Sequence, residues 1–510
     1  MREKVLETQV AIIGGGIVGT AIARELSHYT VDTCLLEKEP AVGWGITKGS
    51  MSLIHGGTAH FGSRILKRTD TQSSMTLEAL LSQPLDMKER LGQTGRNMYF
   101  ELAPFLTATI IQIGKIYVAS DQEQMETIKL VKKMAEVQGV MGLRVLDRDG
   151  LREEEPLIST KFIGGLYDPT EAAIFAPEWA TAFAENARDN GVHILLDTEV
   201  TAITEGKGCY LIKTTHGTIK AEFVVNAAGL FADEIASMVG KPDFSMYFYK
   251  CQMLVLENKG YISHVVGRLP EPGYPKLLLP TAHGDILVVH TMEPSTNKHD
   301  LTTTKEGLDL LSTYPSYFIP DISPKNDIKS SFAGFLAFNT KNAPDYLVEF
   351  GKDRFLNLAL AAPGLGPAPA LAKEVVALLG DGGLELTEKS DFNPYRFTEP
   401  RFIDLTTEEK NERISRNPRY GHIICRCEHV SEQEVVEAVK CGARTMDEVK
   451  FRTRAGMGRC QGGFCTSRVL KVMARELSMF PVELTKKGNN TPILKHKTKE
   501  LREGRQGVAW

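Results

Sequence analysis

Between a short apolar run and a helical one, the chain carries Gly14-Gly15-Gly16-Ile17-Val18-Gly19. The run before it, TQVAII at 8–13, is β-branched and apolar and reads as a buried strand. TAIARELSHY after it has helical spacing, and a second apolar run, VDTCLLEKE, brings Glu37 18 residues beyond the last glycine. G-x-G-x-x-G in that setting is a dinucleotide-binding fingerprint. Gly14 permits the tight turn, Gly16 lets the backbone approach a pyrophosphate, and Gly19 lets helix and strand pack closely. The helix start offers unpaired N–H groups and a partial positive charge. Glu37 would accept hydrogen bonds from ribose hydroxyls. The plainer alternative is a glycine-rich turn in an ordinary α/β sheet.

Three later segments repeat the theme of small residues at element ends. Residues 43–57, GWGITKGSMSLIHGG, form a loop that could let a flavin approach the backbone. Residues 219–229, IKAEFVVNAAG, read as a strand running into LFADEIASMVG, a helix with small residues at its start. Residues 362–380, APGLGPAPALAKEVVALLG, place Pro363-Gly364-Leu365-Gly366 before another helix. Taken singly, the two downstream segments could be plain turn chemistry. The alternating run HILLDTEVTAITEGKGCYLIKTTHGTIK that leads into the first of them reads as hairpins, so the nucleotide domain is interrupted and then resumed.

GGGIVGTAIAREL, the loop from Thr47 to His55, NAAGLFADEIASMVG and PGLGPAPALA together resemble the FAD-dependent oxidoreductases of the D-amino-acid-oxidase and glycerol-3-phosphate-dehydrogenase superfamily. The resemblance covers roughly residues 8 to 490, and within the superfamily it is nearest to bacterial members with a C-terminal iron–sulfur domain. It implies that Gly14, Gly16 and Gly19, with Ile17 and Val18, hold the FAD pyrophosphate, and that Glu37 and Lys38 lie at the ribose. It implies Thr47 and Lys48 along the FAD, Val200 on the adenine side, Ala228 and Gly229 at the adenosine half, and Gly364, Leu365 and Gly366 along the flavin ring. His55 would stand near the isoalloxazine, either as the general base or as a flavin contact. His60, His264, His283 and His290 are further candidates.

This chain departs from the family at positions that bear on substrate. SSFAGFLAF (330–338) resembles a stretch in which an Arg, two positions after Phe-Ala-Gly, pairs with a substrate phosphate or carboxylate; here Leu336 stands there. Lys250 and Cys251 replace the usual Arg-Gly, and Ser50 and Met51 the usual Asn-Ser. A small alcohol, polyol, hydroxy acid or amine of little charge suits such a pocket, with Lys48, Lys250 or Lys276 as remaining sources of a cation.

Five of the eight cysteines fall between 425 and 465. Cys425 and Cys427 form C-x-C, and Cys460 and Cys465 form C-x4-C. Four thiolates suit zinc or a [2Fe–2S] cluster, though zinc ribbons prefer two or more residues within a pair; free thiols are the third reading. Ser431 with Glu434 and Thr445 with Glu448 are capping-box pairs that open two short helices between the thiol loops. The segment resembles the bacterioferritin-associated-ferredoxin type of [2Fe–2S] domain. That resemblance implies Cys425, Cys427, Cys460 and Cys465 as ligands, with Cys34, Cys209, Cys251 and Cys441 as bystanders.

The expected fold class is α/β: an interrupted Rossmann-like FAD-binding domain (1–62, 136–244 and 331–390), an α+β substrate domain (63–135 and 245–330), a linker (391–419), a small helical [2Fe–2S] domain (420–485) and a basic tail (486–510). Lys plus Arg number 60 against 64 Asp plus Glu, so nothing points to nucleic acid. No stretch of 18 apolar residues exists, the N-terminus shows no signal-peptide pattern, and a cytoplasmic location is expected. The tail has seven Lys or Arg against two Glu, a solvated end or a docking arm. The activity expected is dehydrogenation of a small-molecule substrate, with electrons leaving through the cluster. A second flavoprotein or small electron-transfer subunit, in an oligomer, is the partner this implies. The alternative is an electron-transfer or scaffold subunit without a substrate of its own.

Overall fold

The computed structural model describes residues 5–59, 85–269, 276–488, 491–497 and 499; His60 lies outside them. Apart from residues 39–41, they divide into two compact units, one ending at Arg396 and the other beginning at Phe397.

The apolar run ahead of the glycines forms the strand Val5–Ile13, paired in parallel with Thr33–Leu36 on one side and Gly217–Asn226 on the other. Val10, Ala11 and Ile12 have no exposed surface, as a parallel strand covered on both faces requires. His193–Leu195 and Phe355–Ala359 extend the sheet in parallel, while Val200–Gly206 and Cys209–Thr214 add an antiparallel flap. Helix Ile17–Leu26 is rich in small residues, so it nests against helices Ala176–Asp189 and Ala368–Asp381. Trp179 fills the core beneath, its ring edge-on to Tyr99 and its Nε1 donating to the Thr109 carbonyl at 2.8 Å. Burying such a side chain stabilises the fold by about 3 kcal/mol.

A second, nine-stranded sheet is built on the antiparallel pair Met246–Glu257 and Ile328–Asn339. Strands Arg144–Asp147 and Gly164–Asp168 belong to it through Lys115–Ala119, and so does all of Ile328–Asn339. The breaks expected at 136 and 331 therefore do not coincide with the sheets. Alternation along a strand shows which face is buried but not which distant strand it pairs with. A three-stranded sheet of Leu53–Ile54, Ala172–Ile174 and Ile110–Gln112 carries the chain from the glycine loop toward the second sheet.

In the second unit the helices Glu432–Lys440 and Met446–Thr453 both open on complete capping boxes, Ser431 with Glu434 and Thr445 with Glu448. They pack with the amphipathic helix Thr466–Leu477 around Val435, Val449 and Met473. Residues 392–401 form no helix or strand, yet the segment 391–419 is tied down in both of its parts. Asn186 donates to the carbonyls of Asn393 and Tyr395, and Arg396 pairs with buried Glu185 at 2.6 Å, which fixes its first part to the first unit. Its second part holds a capped helix, Thr407–Arg416, and Phe402, which stacks on Tyr420 and whose N–H donates to Glu434. Among the described residues no helix is long and apolar enough to cross a membrane.

Candidate active site

The glycine segments, far apart in sequence, meet at the end of the parallel sheet. Gly14 has φ +111°, and a Cβ there would stand 2.4 Å from the Ala227 carbonyl oxygen; one on Gly19 would stand 1.9 Å from that of Gly14. The first contact brings 226–229 against the turn, and the second holds helix and strand together. Gly43 donates to the Gly15 carbonyl at 2.7 Å, and the Ile17 N–H donates to Thr47 Oγ1 at 3.0 Å, so the loop after Val42 is tied to the helix start. Gly366 approaches Ile54, where a Cβ would lie 3.8 Å from Cγ2. The preceding carbonyl, that of Leu365, accepts from Tyr99 Oη at 2.9 Å.

Around this turn Gly14, Gly16 and Val18 are part-exposed, whereas Gly15, Ile17 and Gly19 are buried. Gly16 caps the helix without any side-chain hydrogen bond. A glycine-lined helix N-terminus whose own N-cap residue has no side chain, with Thr47 taking only the first N–H, is a fit for a pyrophosphate. Glu37 turns inward, its Oε2 accepting the Gly15 N–H at 2.7 Å. Thr198 donates its N–H to the Glu37 carbonyl, which brings in the strand that begins at Val200. Lys38 lays its ammonium 3.5 Å above the Phe231 ring, beside Ala228 and Gly229, and Lys48 lies 4.3 Å above Trp44. Glu37, Thr47 and Ala228 thus gather at the Gly14–Gly19 turn, and Val200 is reached only through Thr198.

His55 follows Ile54 directly. Its Nδ1 is 3.2 Å from Oε1 of Glu171, a carboxylate with no exposed surface. Glu171 also accepts the Gly56 N–H at 2.6 Å and faces Lys115 Nζ at 3.6 Å. Burial alone would raise the Glu171 pKa; Lys115, His55 and the Gly56 N–H overcome it and hold the carboxyl down at about 2. Burial likewise works against the Lys115 charge, and Glu171 outweighs it, so the ammonium is stabilised. An ionised carboxylate only accepts hydrogen bonds, so His55 Nδ1 carries the hydrogen. Glu171 and Lys115 escaped the sequence reading. The available signals were an acid in the turn DPTE just before the apolar AAI, and a lone lysine opening the buried strand KIYVA.

His290 is buried and held neutral by its surroundings; its Nδ1 bonds the Thr291 carbonyl, and it lies near enough to feel a charge on His55. His264 is tied to Glu155, and His283 packs edge-on to Phe175. Leu336 pairs in register with Tyr249, two positions from Gly334, and a Cβ on Gly334 would meet Gly49 at 2.1 Å. Leu336 therefore shares the sheet face that carries the 43–51 loop. Lys250 pairs with Phe335 on the opposite face and binds Asp300 at 2.8 Å, while Lys276 is exposed. Lys250 is thus no replacement for the missing arginine. Burial pushes the thiols of Cys34 and Cys251 up to about 12 and keeps both protonated.

In the second unit the four cysteines fall into two pairs. Cys427 and Cys460 have sulfurs 3.8 Å apart, and Cys425 shares a hydrogen bond with Cys465. The Cys465 contact holds the Cys425 thiol well down against burial, helped by N–H groups of Gly456, Glu428 and Cys427. N–H groups of Phe464 and Gly462 do the same at Cys460. Two sulfur pairs, each ringed by N–H donors, fit a two-iron cluster, in which each iron takes two thiolates. Cys441 caps the helix Glu432–Lys440, away from the pairs in sequence and exposed.

Residues 9–378 match the FAD dependent oxidoreductase family. The chain belongs to that family. Residues 423–475 of this FAD-dependent oxidoreductase match the BFD-like [2Fe-2S] binding domain. The oxidoreductase is 36% identical over 498 residues to a glycerol 3-phosphate dehydrogenase from Caloramator mitchellensis, covering 96% of this chain and 98% of that one. It is 26% identical over 407 residues to a glycerol 3-phosphate oxidase from Mycoplasma pneumoniae, covering 76% of this chain and 98% of that one. In fold it is similar to the dithionite-reduced, FAD-bound L-alpha-glycerophosphate oxidase of Mycoplasma pneumoniae, with a TM-score of 0.66 and 23% identity over 77% of this chain and 99% of that one. The oxidoreductase's cofactors are FAD and a [2Fe–2S] cluster.

Proposed function

We propose that this oxidoreductase dehydrogenates a secondary alcohol carbon in a small polyol or hydroxy acid and passes the electrons out singly through its cluster. The carrying observation is His55: its Nδ1 is committed to Glu171, its Nε2 is free to accept a proton, and it adjoins the Gly364–Gly366 turn through Ile54. Relatives named for glycerol 3-phosphate and for L-2-hydroxyglutarate share that alcohol chemistry. FAD, when bound, takes up the hydride from the substrate C–H bond, and the cluster handles one electron at a time. His55 accepts the hydroxyl proton at Nε2 and becomes imidazolium, which Glu171 stabilises. The glycine rim binds and orients, and the second sheet covers the reacting side. Leu336 favours an uncharged group at its end of the pocket. The residues named in the two cofactor sites, the electron route, a cytoplasmic location and a partner electron-transfer subunit are parts of the same proposal.

The test is anaerobic mixing of the holoenzyme with glycerol, glycerol 3-phosphate, 2-hydroxy acids and amino acids, read at the flavin band. Bleaching by a polyol or hydroxy acid, lost in His55→Gln, supports the reading. If no substrate reduces the flavin, the scaffold alternative, which Leu336 favours, takes its place.

A further inference from the structure

The groups around His55 form a chain that ends in a buried cation. Glu171 is fixed at both ends: its main-chain carbonyl accepts the N–H groups of Ile113 and Gly114, each at 3.0 Å, and its carboxylate spans His55, Gly56 and Lys115. A Cβ on Gly56 would lie 2.6 Å from Thr170 Oγ1, 2.8 Å from Glu171 Oε2 and 2.9 Å from Asp168 Oδ2, so a side chain there would displace the carboxylates. Lys115 opens the strand Lys115–Ala119, in register with Asp168, and is 3% exposed. Asp168 is engaged by Thr58 and Thr170 through main-chain and side-chain donors. A buried lysine and a buried glutamate are expensive to keep in a fold, and a purely apolar pair would serve packing as well. The ion pair instead sits on the hydrogen-bonded side of His55, which follows Ile54 at the glycine rim.

We propose that Glu171, neutralised and held by Lys115, is the positioning residue for His55, fixing the Nδ1–H tautomer and steadying the imidazolium formed when Nε2 takes the substrate's proton. The inference rests on the alcohol-dehydrogenation reading above. Its contribution is at the proton: the substrate O–H bond breaks, the proton forms a bond to Nε2, and the C–H electron pair leaves as hydride to the family's flavin. Among the described residues the charged and titratable groups about His55 are Glu171 and Lys115 on the Nδ1 side, with Asp168, Arg96 and Tyr117 beyond them, and His290.

The decisive variants are Glu171→Gln, Glu171→Asp and the double variant Glu171→Gln/Lys115→Met, which leaves no orphaned lysine should the single change unfold the protein. Two readouts are taken on the FAD-loaded, cluster-containing protein. The first is the rate of anaerobic flavin reduction against pH. The second is the rate at which diethyl pyrocarbonate modifies the His55 peptide against pH, followed by mass spectrometry without substrate. With glutamine at 171, alone or with methionine at 115, reduction should slow roughly 10²–10³-fold. The pH profile of His55 modification should change as well, because the ring loses its carboxylate partner at Nδ1. Glu171→Asp should recover part of both. If His55→Gln reduces flavin as fast as the unaltered protein, the alcohol-oxidation reading itself fails. If His55→Gln is dead while the double variant keeps the parent rate and the parent modification profile, only the positioning role is overturned.

Discussion

Gly49 and Gly334 touch backbone to backbone: a Cβ on Gly334 would stand 2.1 Å from the Gly49 carbonyl oxygen, and one on Gly49 would stand 2.9 Å from the Gly334 Cα. The loop tied to the dinucleotide turn at Gly15 and Ile17 is thereby seated on the second sheet. Gly334→Ala should push the loop off, at a cost of about 1–3 kcal/mol, and should lower FAD retention several-fold on gel filtration. A variant that keeps full flavin content and the parent melting temperature would show that the loop is not held at this contact.

Leu336, two residues along on the same face, offers a gain-of-function test. Leu336→Arg should raise the preference for an anionic over a neutral polyol, glycerol 3-phosphate against glycerol, by about 10-fold or more through a charge-assisted contact. The ratio of kcat/KM for the two substrates reports it. An unchanged ratio would mean that the side chain at 336 does not reach the substrate.

His28 supplies a pH signature outside the site. It stacks on Phe392 with ring centroids 3.7 Å apart, and burial first, then Arg24, Lys373 and Lys389, push its pKa down to about 4. The folded value lies below the unfolded 6.5, so the fold keeps the ring neutral. Its contribution is whole above pH 6.5 and is lost as pH falls toward 4. Allowing for partial contact with water, the loss is about 1–2 kcal/mol. His28→Phe keeps the stack without a titrating group, and its denaturation midpoint should fall less steeply from pH 6.5 to 4 than the parent's. Parallel curves would refute the assignment.

The thiol loops can be probed without touching a ligand. A Cβ on Gly458 would lie 2.2 Å from Cys427 Cβ, so Gly458→Ala should displace Cys427. Iron content, near two per chain when the cluster is complete, should drop while flavin content holds. Full iron and an unaltered visible spectrum would argue that this loop yields freely.

Local features were legible before any tertiary structure. The capping boxes at Ser431 and Thr445 and the packing of Gly19 on the Gly14 carbonyl depend on contacts within a few residues, so spacing alone announces them. The sheet membership of Gly164–Asp168 was not legible, because its partner Lys115–Ala119 is a distant segment of equally plausible pattern. Residues 402–416 looked like a charged linker because the helix Thr407–Arg416 buries none of its residues and carries no apolar stripe.

The sequence by itself determined the chemistry available: a glycine turn that admits a pyrophosphate, a histidine beyond a small-residue loop, and four thiols in two spaced pairs. Only the tertiary structure decided how they are used. It set Glu171 and Lys115 behind His55, turned Lys250 to the far face of its sheet, and brought four glycine segments to one rim. The reason is physical. Turns and caps follow from neighbours along the chain, whereas the ionisation and direction of a buried side chain depend on groups that only folding brings within a few ångströms.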